Sequence, residues 1–451
     1  MLRTIDLRGT TPSRTELQRI LPRAAVNTTA AVEIVRPLVE AVRDTGEAAL
    51  RAQATQFDRV EGHALRVPAA EITASLESCP PQVRAALEEM IARLRVASAA
   101  QVPAAQVTSF GDGATITQRW HPVSRVGLYA PGGKAAYPSS VLMNAVAAQA
   151  AGVRSLALAS PAQADNDGRP HEAVLWAAAL AGVDEVYAIG GAGAIAAFAY
   201  GVDSIDLQPV DVVTGPGNAF VAAAKRIVSG QVAIDSEAGT TEILIIADAQ
   251  ANPSYVAADL ISQAEHDEAA AAVLVTDSET LATAVQAAVA EQVVGMRHEA
   301  RAREALAGPQ SAVILVDTLD IAANVSNAYA PEHLEMQSSD NESLLAQIDD
   351  AGAIFIGDHT PVSLGDYLAG STHVLPTGGT ARFAAGLGAH TFLRPQQIIS
   401  YDREALAQVH DRLLAISHAE GLPAHGEAVT VRMGAAAPRP ELEAQPEPEH
   451  N

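Results

Sequence analysis

The stretch VGLYAPGGKAAYPSSVLMNAVAAQAAGVRSLALAS, residues 126–160, decides the fold. It holds a short apolar run at Val126–Tyr129, a segment of helical pattern at 139–151 and a second apolar run at Leu156–Ala159. Short apolar runs separated by helices are typical of parallel strands joined by helical crossovers. We therefore predict an open parallel sheet in this part of the chain.

The same alternation continues along the chain in two sets. The first set adds candidate helices at 171–181, 194–201 and 218–229, and apolar runs at Val186–Ile189, Val210–Val213 and Val232–Ile234. The second set has apolar runs at Ile243–Ala247, Val273–Thr276, Ala312–Val316 and Ala353–Ile356. Two sets predict two open α/β sheets, with ligands at the carboxyl ends of the strands and between the domains.

The segments that flank the two sets lack this alternation. The chain up to Arg23 is rich in arginine, and we interpret it as an arm that packs on another surface. Three- and four-residue apolar spacing predicts helices at Ala31–Gln53, Pro81–Ser98 and Ser400–Ala419. After Met433 the chain is rich in Ala, Pro and Glu, which predicts a disordered tail.

The composition excludes several classes of partner. The 451 residues include 53 acidic and 29 basic side chains, and the formal net charge of −24 argues against nucleic acid and anionic membranes. No apolar run approaches the length of about 20 residues that a membrane span needs. The single cysteine, Cys79, cannot form an internal disulfide, and the N-terminus lacks an apolar signal core, so we expect a cytoplasmic protein.

Gln263 and His266 are the first candidate ligands for a metal ion. They lie three residues apart near the end of a predicted helix, Tyr255–His266, so both side chains leave one face and can bind one small ion. A single cysteine excludes thiolate zinc sites, whereas imidazole and oxygen ligands suit zinc or a similar divalent ion. The alternative is a solvent-facing helix end that binds nothing.

Glu332 and His333 are candidate proton acceptors. They are adjacent in the segment Ala330–Glu335, and on a turn after Pro331 both side chains can point into one cleft. The alternative is a helix start, with Pro331 at its first position and Glu332 favoured by the helix dipole.

Two further segments carry polar side chains between glycines. Asp366, in Ser363–Tyr367, is a candidate carboxylate ligand on a loop after an apolar strand. Glu420 and His425 lie on a rigid turn near the end of the fold. The alternatives are a turn aspartate and a solvated histidine.

Two glycine loops follow predicted strands. Residues 186–196 formally fit G-x-G-x-x-A, but Asp211, the candidate acid for a ribose, starts its strand where such an acid is expected at the end. In Thr214–Asn218, Asn218 can cap the next helix, and free backbone N–H groups can bind a pyrophosphate. Either loop could equally be a tight turn.

Taken together and in order, these segments resemble the histidinol dehydrogenase family. The match runs from about Ile5 to Arg432, and the joint order and spacing of its blocks are specific although each block is short. The blocks are Leu128–Gly133, Gly215–Val221, Asp259–His266, Ala330–Glu335, Gly365–Tyr367 and His373–Thr377.

The resemblance implies two open parallel-sheet, incomplete Rossmann-like α/β domains with an N-terminal arm and a helical C-terminal segment. We expect the arm at 1–24 and a larger α/β domain, with the metal ligands and the bases, at 25–128 and 242–387. An NAD-binding α/β domain would span 129–241, a helical dimerisation segment 388–436 and the disordered tail 437–451.

The resemblance also implies the reaction, which completes histidine biosynthesis. L-Histidinol is oxidised through a bound aldehyde to L-histidine in two NAD-dependent steps. His333 is the base for the first alcohol proton, and Glu332 activates water for attack on the aldehyde. One zinc ion per subunit orients the substrate in a homodimer with shared active sites; its ligands are Gln263, His266 and Asp366 of one subunit and His425 of the other.

The resemblance assigns the remaining contacts by motif. Thr241 and, across the dimer, Glu420 join His333 and the four metal ligands as substrate-binding residues. The cofactor contacts fall on Tyr129, Gly193 and Asn218. The family usually has a glutamine at the position of Gly193 and a proline at that of Thr240. The first departure removes an amide hydrogen bond to NAD, worth about 1 kcal/mol.

Three other readings remain open at this point. The chain could be a paralogue that oxidises another primary alcohol, such as a sulfonated diol, with zinc and NAD; the retained Glu420 counts against it. It could be a zinc hydrolase in which Glu332 activates a metal-bound water, without a nicotinamide. A non-catalytic binding protein is the third, for which Gly193 is the only hint.

Overall fold

The computed structural model describes residues 2–24, 28–132, 136–237 and 239–434. The chain forms two compact units, the first comprising Met1–Val102 and Pro122–Leu393 and the second Pro103–His121 and Arg394–Asn451. The predicted disordered tail, 437–451, lies outside the described residues.

The described residues form fifteen β-strands. In chain order these are β1 (Arg3–Asp6), β2 (Arg66–Val67), β3 (Gln106–Ser109), β4 (Ala114–Pro122), β5 (Arg125–Tyr129), β6 (Ser155–Ser160), β7 (Val186–Ala188), β8 (Val212–Thr214), β9 (Ala233–Ile234), β10 (Glu242–Ala247), β11 (Ala271–Thr276), β12 (Ala312–Leu315), β13 (His333–Gln337), β14 (Ala353–Ile356) and β15 (Leu393–Tyr401).

The same residues form seventeen α-helices. These are α1 (Arg14–Ile20), α2 (Thr28–Thr45), α3 (Glu47–Gln53), α4 (Ala69–Ala74), α5 (Pro81–Ala100), α6 (Pro138–Ala150), α7 (Glu172–Ala181), α8 (Gly191–Tyr200), α9 (Ala219–Val228), α10 (Pro253–Ala264), α11 (Glu279–Gln292), α12 (Glu299–Ala307), α13 (Leu319–Tyr329), α14 (Asn341–Leu345), α15 (Val362–Tyr367), α16 (Arg403–Ala419) and α17 (Pro423–Thr430). In the described chain, none of them is long and apolar enough to span a membrane.

The first sheet has six parallel strands in the order β1-β12-β11-β10-β13-β14. Alternate residues of β10 enter two separate apolar cores, with Ile243 and Ile245 in one and Leu244 and Ile246 in the other. Burial on both faces explains why this strand is apolar throughout, as is typical of parallel sheets under helices.

The second sheet has the order β2-β7-β6-β5-β8-β9, in which only the β2–β7 pair is antiparallel. From β5 the chain moves outward to β6 and β7 and then returns to the other side of β5 for β8 and β9. This reversal is the position at which open α/β sheets bind ligands. The prediction of two open parallel sheets is confirmed.

The second unit contains a three-stranded sheet, β15-β4-β3, and the helices α16 and α17. Strands β3 and β4 form an antiparallel pair in which Gln106 lies opposite Gln118. Helices α16 and α17 confirm the predicted helical C-terminal segment, but the sequence pattern did not predict the strand β15, which lies within the predicted bounds 388–436.

Strand β13 corrects the sequence analysis. Residues Ala330–Glu335 were expected to form a turn or a helix start, yet His333 begins a buried strand between β10 and β14. Leu334 and Met336 enter an apolar core, while His333 and Glu335, one residue out of step with them, are buried polar side chains. A buried strand in which every second side chain is polar has no continuous apolar run, so the sequence pattern did not predict β13.

Three smaller differences concern the ends of elements. Helix α10 ends at Ala264, so Gln263 is helical but His266 lies just beyond the helix. Asp366 belongs to the short helix α15 rather than to a loop. Within the segment interpreted as an arm, β1 pairs with β12 in the first sheet, which the sequence pattern did not predict.

Candidate active site

A cavity of about 980 Å³ lies in the first unit, where edges of the two sheets meet. The second sheet contributes the carboxyl ends of its strands, through residues that follow β5, β7 and β8. The first sheet contributes its amino ends, because Thr241 precedes β10 and Glu332 precedes β13. The expectation that carboxyl ends bind the ligand is therefore wrong for the first sheet.

Pairing of β10 with β13 places the two candidate bases. The carboxylate of Glu332 accepts hydrogen bonds from the Thr241 hydroxyl at 2.7 Å and from the backbone N–H of Glu242 at 2.9 Å. The Nδ1 atom of His333 lies 3.1 Å from the backbone carbonyl of Glu242. A carbonyl can only accept, so Nδ1 carries the proton and Nε2 of the neutral ring is free to act as a base.

Burial tunes both groups. It raises the pKa of Glu332 to about 8, against the two hydrogen bonds that favour its carboxylate. Burial also lowers the pKa of His333, although the charge of Asp366 acts in the opposite direction. A carboxyl with a pKa near neutrality and a neutral imidazole are both suited to accepting protons.

Thr241 links the bases to the candidate metal ligands. Its hydroxyl donates to Glu332 and accepts from Nε2 of Gln263 at 2.7 Å. Because Nε2 is the donor of this amide, the carbonyl oxygen of Gln263 is left for another partner. The motif residue Thr241 thus orients two candidate site residues at once.

His266 and Asp366 line the same cavity. Burial lowers the pKa of His266, which leaves a neutral imidazole, the form that binds metals. His373, to which the sequence analysis gave no role, lies with Nδ1 3.8 Å from Oδ1 of Asp366 and Nε2 2.9 Å from the Ser140 hydroxyl. Because its Nδ1 also lies 3.3 Å from the backbone carbonyl of Asp366, His373 is in a position to hold the backbone at Asp366.

In the glycine loops of the second sheet, backbone N–H groups donate hydrogen bonds at the start of two helices. The N–H of Gly191, at the start of α8, donates to the Tyr129 hydroxyl at 3.1 Å. Asn218 caps α9 by accepting from the N–H groups of Phe220 and Val221, which confirms the predicted cap. Both helices begin at the cavity, and a helix N-terminus favours a negatively charged ligand.

A buried ion pair holds the loop after β8. Nζ of Lys225 lies 2.6 Å from Oδ1 of Asp235 and 2.5 Å from the carbonyl of Gly215, while Oδ2 of Asp235 accepts from the Gly215 N–H. Gly215 has a φ of 120°, and a Cβ there would lie 1.9 Å from the Tyr129 carbonyl oxygen. Only glycine fits this position.

The structure also places residues that the sequence analysis missed or misread. Gln53 and Asp58 both line the cavity. Gln53 directly precedes a single π-helical turn at Ala54–Asp58, and Asp58 is the last residue of that turn. Burial raises the pKa of Asp58 to about 6. Asp211, by contrast, accepts from the N–H groups of Ser124 and Arg125 at the amino end of β5 and is structural. No local pattern marks Gln53 or Asp58, because both come from a helical segment far from the glycine loops.

Comparison with known proteins gives the same family from three directions. The family model of histidinol dehydrogenase matches residues 21–433. The chain is 62% identical to a histidinol dehydrogenase of Leifsonia xyli subsp. xyli, over 96% of this chain and 99% of that protein. It is 53% identical to one of Corynebacterium diphtheriae, over 96% and 97%.

The chain belongs to the histidinol dehydrogenase family. The crystal structure of the histidinol dehydrogenase from Elizabethkingia anophelis superposes with a TM-score of 0.90 at 31% identity, over 96% of this chain and 98% of that one.

Two residues assigned by resemblance to this family lie in the second unit. Glu420 follows α16, and His425 lies in the first turn of α17; both are exposed. Whether they act in the histidinol dehydrogenase site of a neighbouring subunit stays a prediction.

The candidate ligands in the first unit fit a divalent metal ion chemically. Gln263 offers a carbonyl oxygen, His266 a neutral imidazole and Asp366 a carboxylate, a set suited to zinc or a similar ion. All three lie near the C-terminal ends of α10 and α15, where the helix dipole favours a cation. Among the described residues, no three His, Cys, Asp or Glu side chains converge on a metal position, so zinc stays a prediction.

Proposed function

We propose that this protein oxidises L-histidinol through L-histidinaldehyde to L-histidine, with two NAD per histidine. The observation that carries the proposal is the pair Glu332 and His333, two separately oriented proton acceptors on one cavity. Two successive oxidations need two proton transfers of different kinds, and this pair supplies a base for each. The full-length similarity to proteins named histidinol dehydrogenase supports the substrate.

His333 serves the first oxidation. Its Nε2 takes the proton of the alcohol hydroxyl as a hydride leaves the carbon that bears this hydroxyl, which gives the aldehyde. The Glu242 carbonyl holds Nδ1–H and so fixes both the tautomer and the orientation of the ring.

Glu332 serves the second oxidation. Its carboxylate takes a proton from water as the water oxygen adds to the aldehyde carbon, which gives the anion of the hydrate. A second hydride then leaves from that carbon, and the acid forms. The hydroxyl of Thr241 and the N–H of Glu242 hold the carboxylate in place for this step.

When bound, NAD accepts the hydride of each step. The loops that begin α8 and α9 offer backbone N–H groups for its pyrophosphate, and Tyr129 and Asn218 shape this surface. The part of the cavity formed by the first sheet carries the proposed bases Glu332 and His333. A cofactor bound at the glycine loops of the second sheet would therefore face the reacting carbon across the cavity.

We further propose that Gln263, His266 and Asp366, with His425 of a partner subunit, would hold one zinc ion per subunit. When bound, the ion would orient the nitrogen atoms of histidinol and act as a template. Thr241, Gln263, His266, His333, Asp366, Glu420 and His425 are the proposed substrate-binding residues.

We propose a cytoplasmic homodimer in which Glu420 and His425 act across the interface. The second unit exposes several large apolar side chains, as an interaction surface does. They are Val107, Phe110, Ile399, Ile416, Leu422 and Val431. The lone cysteine supports a reducing compartment.

Counting products tests the reaction. The zinc-loaded protein with L-histidinol and excess NAD should form two NADH for each histidine. One NADH per substrate, or NADH only with another primary alcohol, would replace the proposal by a different alcohol dehydrogenase. Hydrolytic turnover without NADH would replace it by a hydrolase.

Mixing two inactive variants tests the shared site. His333→Asn and His425→Ala each disable every site of their own homodimer. A hybrid dimer has one site with both substitutions and one with neither, so co-expression should restore part of the activity. Hybrid dimers that form but stay inactive would contradict a site shared between subunits.

A further inference from the structure

Gln53 ends α3 with its side-chain amide buried in the wall of the cavity. Its Nε2 donates to the backbone carbonyl of Leu38 at 3.0 Å, which fixes the orientation of the amide. The carbonyl oxygen, Oε1, is consequently turned toward α8.

Gly193 provides the space for this oxygen. A Cβ at position 193 would lie 2.8 Å from Oε1 of Gln53 and 3.2 Å from a methyl group of Leu50. Gly193 is helical and has no positive φ, so its backbone does not require glycine. Close packing against Gln53 and Leu50 therefore explains the glycine.

Oε1 of Gln53 receives no hydrogen bond from the part of the chain that the structure describes. An amide held by one end and unsatisfied at the other, on the wall of a binding cavity, is placed to accept from a ligand. The same cavity is lined by Gly190, Gly191 and Tyr129, the proposed cofactor surface.

We propose that Gln53 is a cofactor-binding residue whose Oε1 accepts a hydrogen bond from a hydroxyl or amide N–H of the nicotinamide dinucleotide, and that Gly193 admits this contact. The inference rests on the proposed use of NAD. It also changes the meaning of Gly193: the position gives up a side chain and receives the amide of a residue on another helix.

The test measures NADH binding directly, by fluorescence or calorimetry, together with the KM values for NAD and histidinol. Gln53→Met keeps the length of the side chain and removes the acceptor, so the Kd for NADH and the KM for NAD should rise roughly two- to tenfold. The KM for histidinol should not change. The matched control is Gln56→Met, the same exchange at an exposed residue that does not line the cavity.

A double-mutant cycle tests the coupling of the two positions. Gly193→Ala should weaken NADH binding in the wild type by displacing Gln53, but have a much smaller effect in a Gln53→Ala background. Additive effects would overturn the coupling.

A lower unfolding temperature for Gln53→Met with an unchanged Kd for NADH would overturn the binding role and leave a structural one. Equal increases in the KM of NAD and of histidinol would overturn it as well. Direct binding of NADH decides the matter even if histidinol is not oxidised, so failure here is distinct from failure of the proposed reaction.

Discussion

The two sheet edges that meet at the cavity present different chemical groups to it. The edge of the first sheet consists of the amino ends of β10 and β13 and presents buried ionisable side chains, Glu242, Glu332 and His333. The edge of the second sheet consists of the carboxyl ends of β5, β7 and β8 and presents glycine loops and backbone N–H groups.

This difference in direction also sets the electrostatics. Helices α10 and α15 end near the first edge, so their dipoles favour a cation there. Helices α8 and α9 begin at the second edge, so theirs favour an anion such as a pyrophosphate. Opposite ends of two similar sheets thus suit a metal-bound substrate and a dinucleotide.

The largest effect is expected at the first edge. His333→Asn removes the proposed base of the first oxidation and should lower its rate by about 10²- to 10⁴-fold. Glu332→Gln should spare the first hydride transfer and stall the second, because hydration of the aldehyde then lacks its proposed base. Single-turnover NADH formation from histidinol, and separately from the aldehyde, measures the two steps.

The control for these substitutions is His359→Asn, at an exposed histidine of the same unit. If His333→Asn and Glu332→Gln fail equally when supplied with the aldehyde, the division of roles between them is wrong.

A smaller effect is expected at the second edge. Gly215→Ala forces a Cβ toward the Tyr129 carbonyl and must displace the loop, so the KM for NAD should rise roughly tenfold or more. The affinity for histidinol should stay the same. Gly230→Ala is the control, because Gly230 has a similar φ of 101° but no atom within 4 Å of the added Cβ. A loss of histidinol affinity in Gly215→Ala would show that the edges are not separable.

The second edge was also the more predictable from sequence. Its strands are short apolar runs followed by glycines, and both signals are local, as at Val186–Ala188 before Gly190. Resemblance to known motifs placed Tyr129 and Asn218 there, and the structure shows both on the cavity.

The first edge was less predictable, because its geometry depends on pairing between distant segments. The hydrogen bonds of Glu332 and His333 come from Thr241 and Glu242, about ninety residues earlier in the chain. The polar strand β13 lacks an apolar run, and a rule based on carboxyl ends pointed to the wrong end of this sheet. Gln53 likewise lies at the cavity because α3 packs against α2 and α8, which are distant in the chain from each other.

The smallest effect is expected on stability, where a buried ionisable group of the first sheet lowers the free energy of unfolding. Glu335 on β13 is 1% exposed, lies beside Asp259 of α10 and accepts a hydrogen bond from Nε2 of Gln337 at 2.6 Å. Burial, with the charge of Asp259, raises the pKa of Glu335 well above its ordinary value of 4.5, so the folded chain holds a proton that the unfolded chain releases. The resulting stabilisation is complete below pH 4.5 and is lost as the pH rises toward the raised pKa.

Glu335→Gln stays neutral and keeps a hydrogen-bonding amide, so at pH 8 its free energy of unfolding should exceed that of the wild type by about 1 kcal/mol or more. Urea unfolding from pH 4.5 to pH 8 measures the difference, which should shrink at the acidic end, while Glu342→Gln, at an exposed position, should leave the pH dependence unchanged. A variant less stable than the wild type at pH 8 would mean that the carboxylate is satisfied in the folded chain and that the first sheet buries this charge without loss of stability.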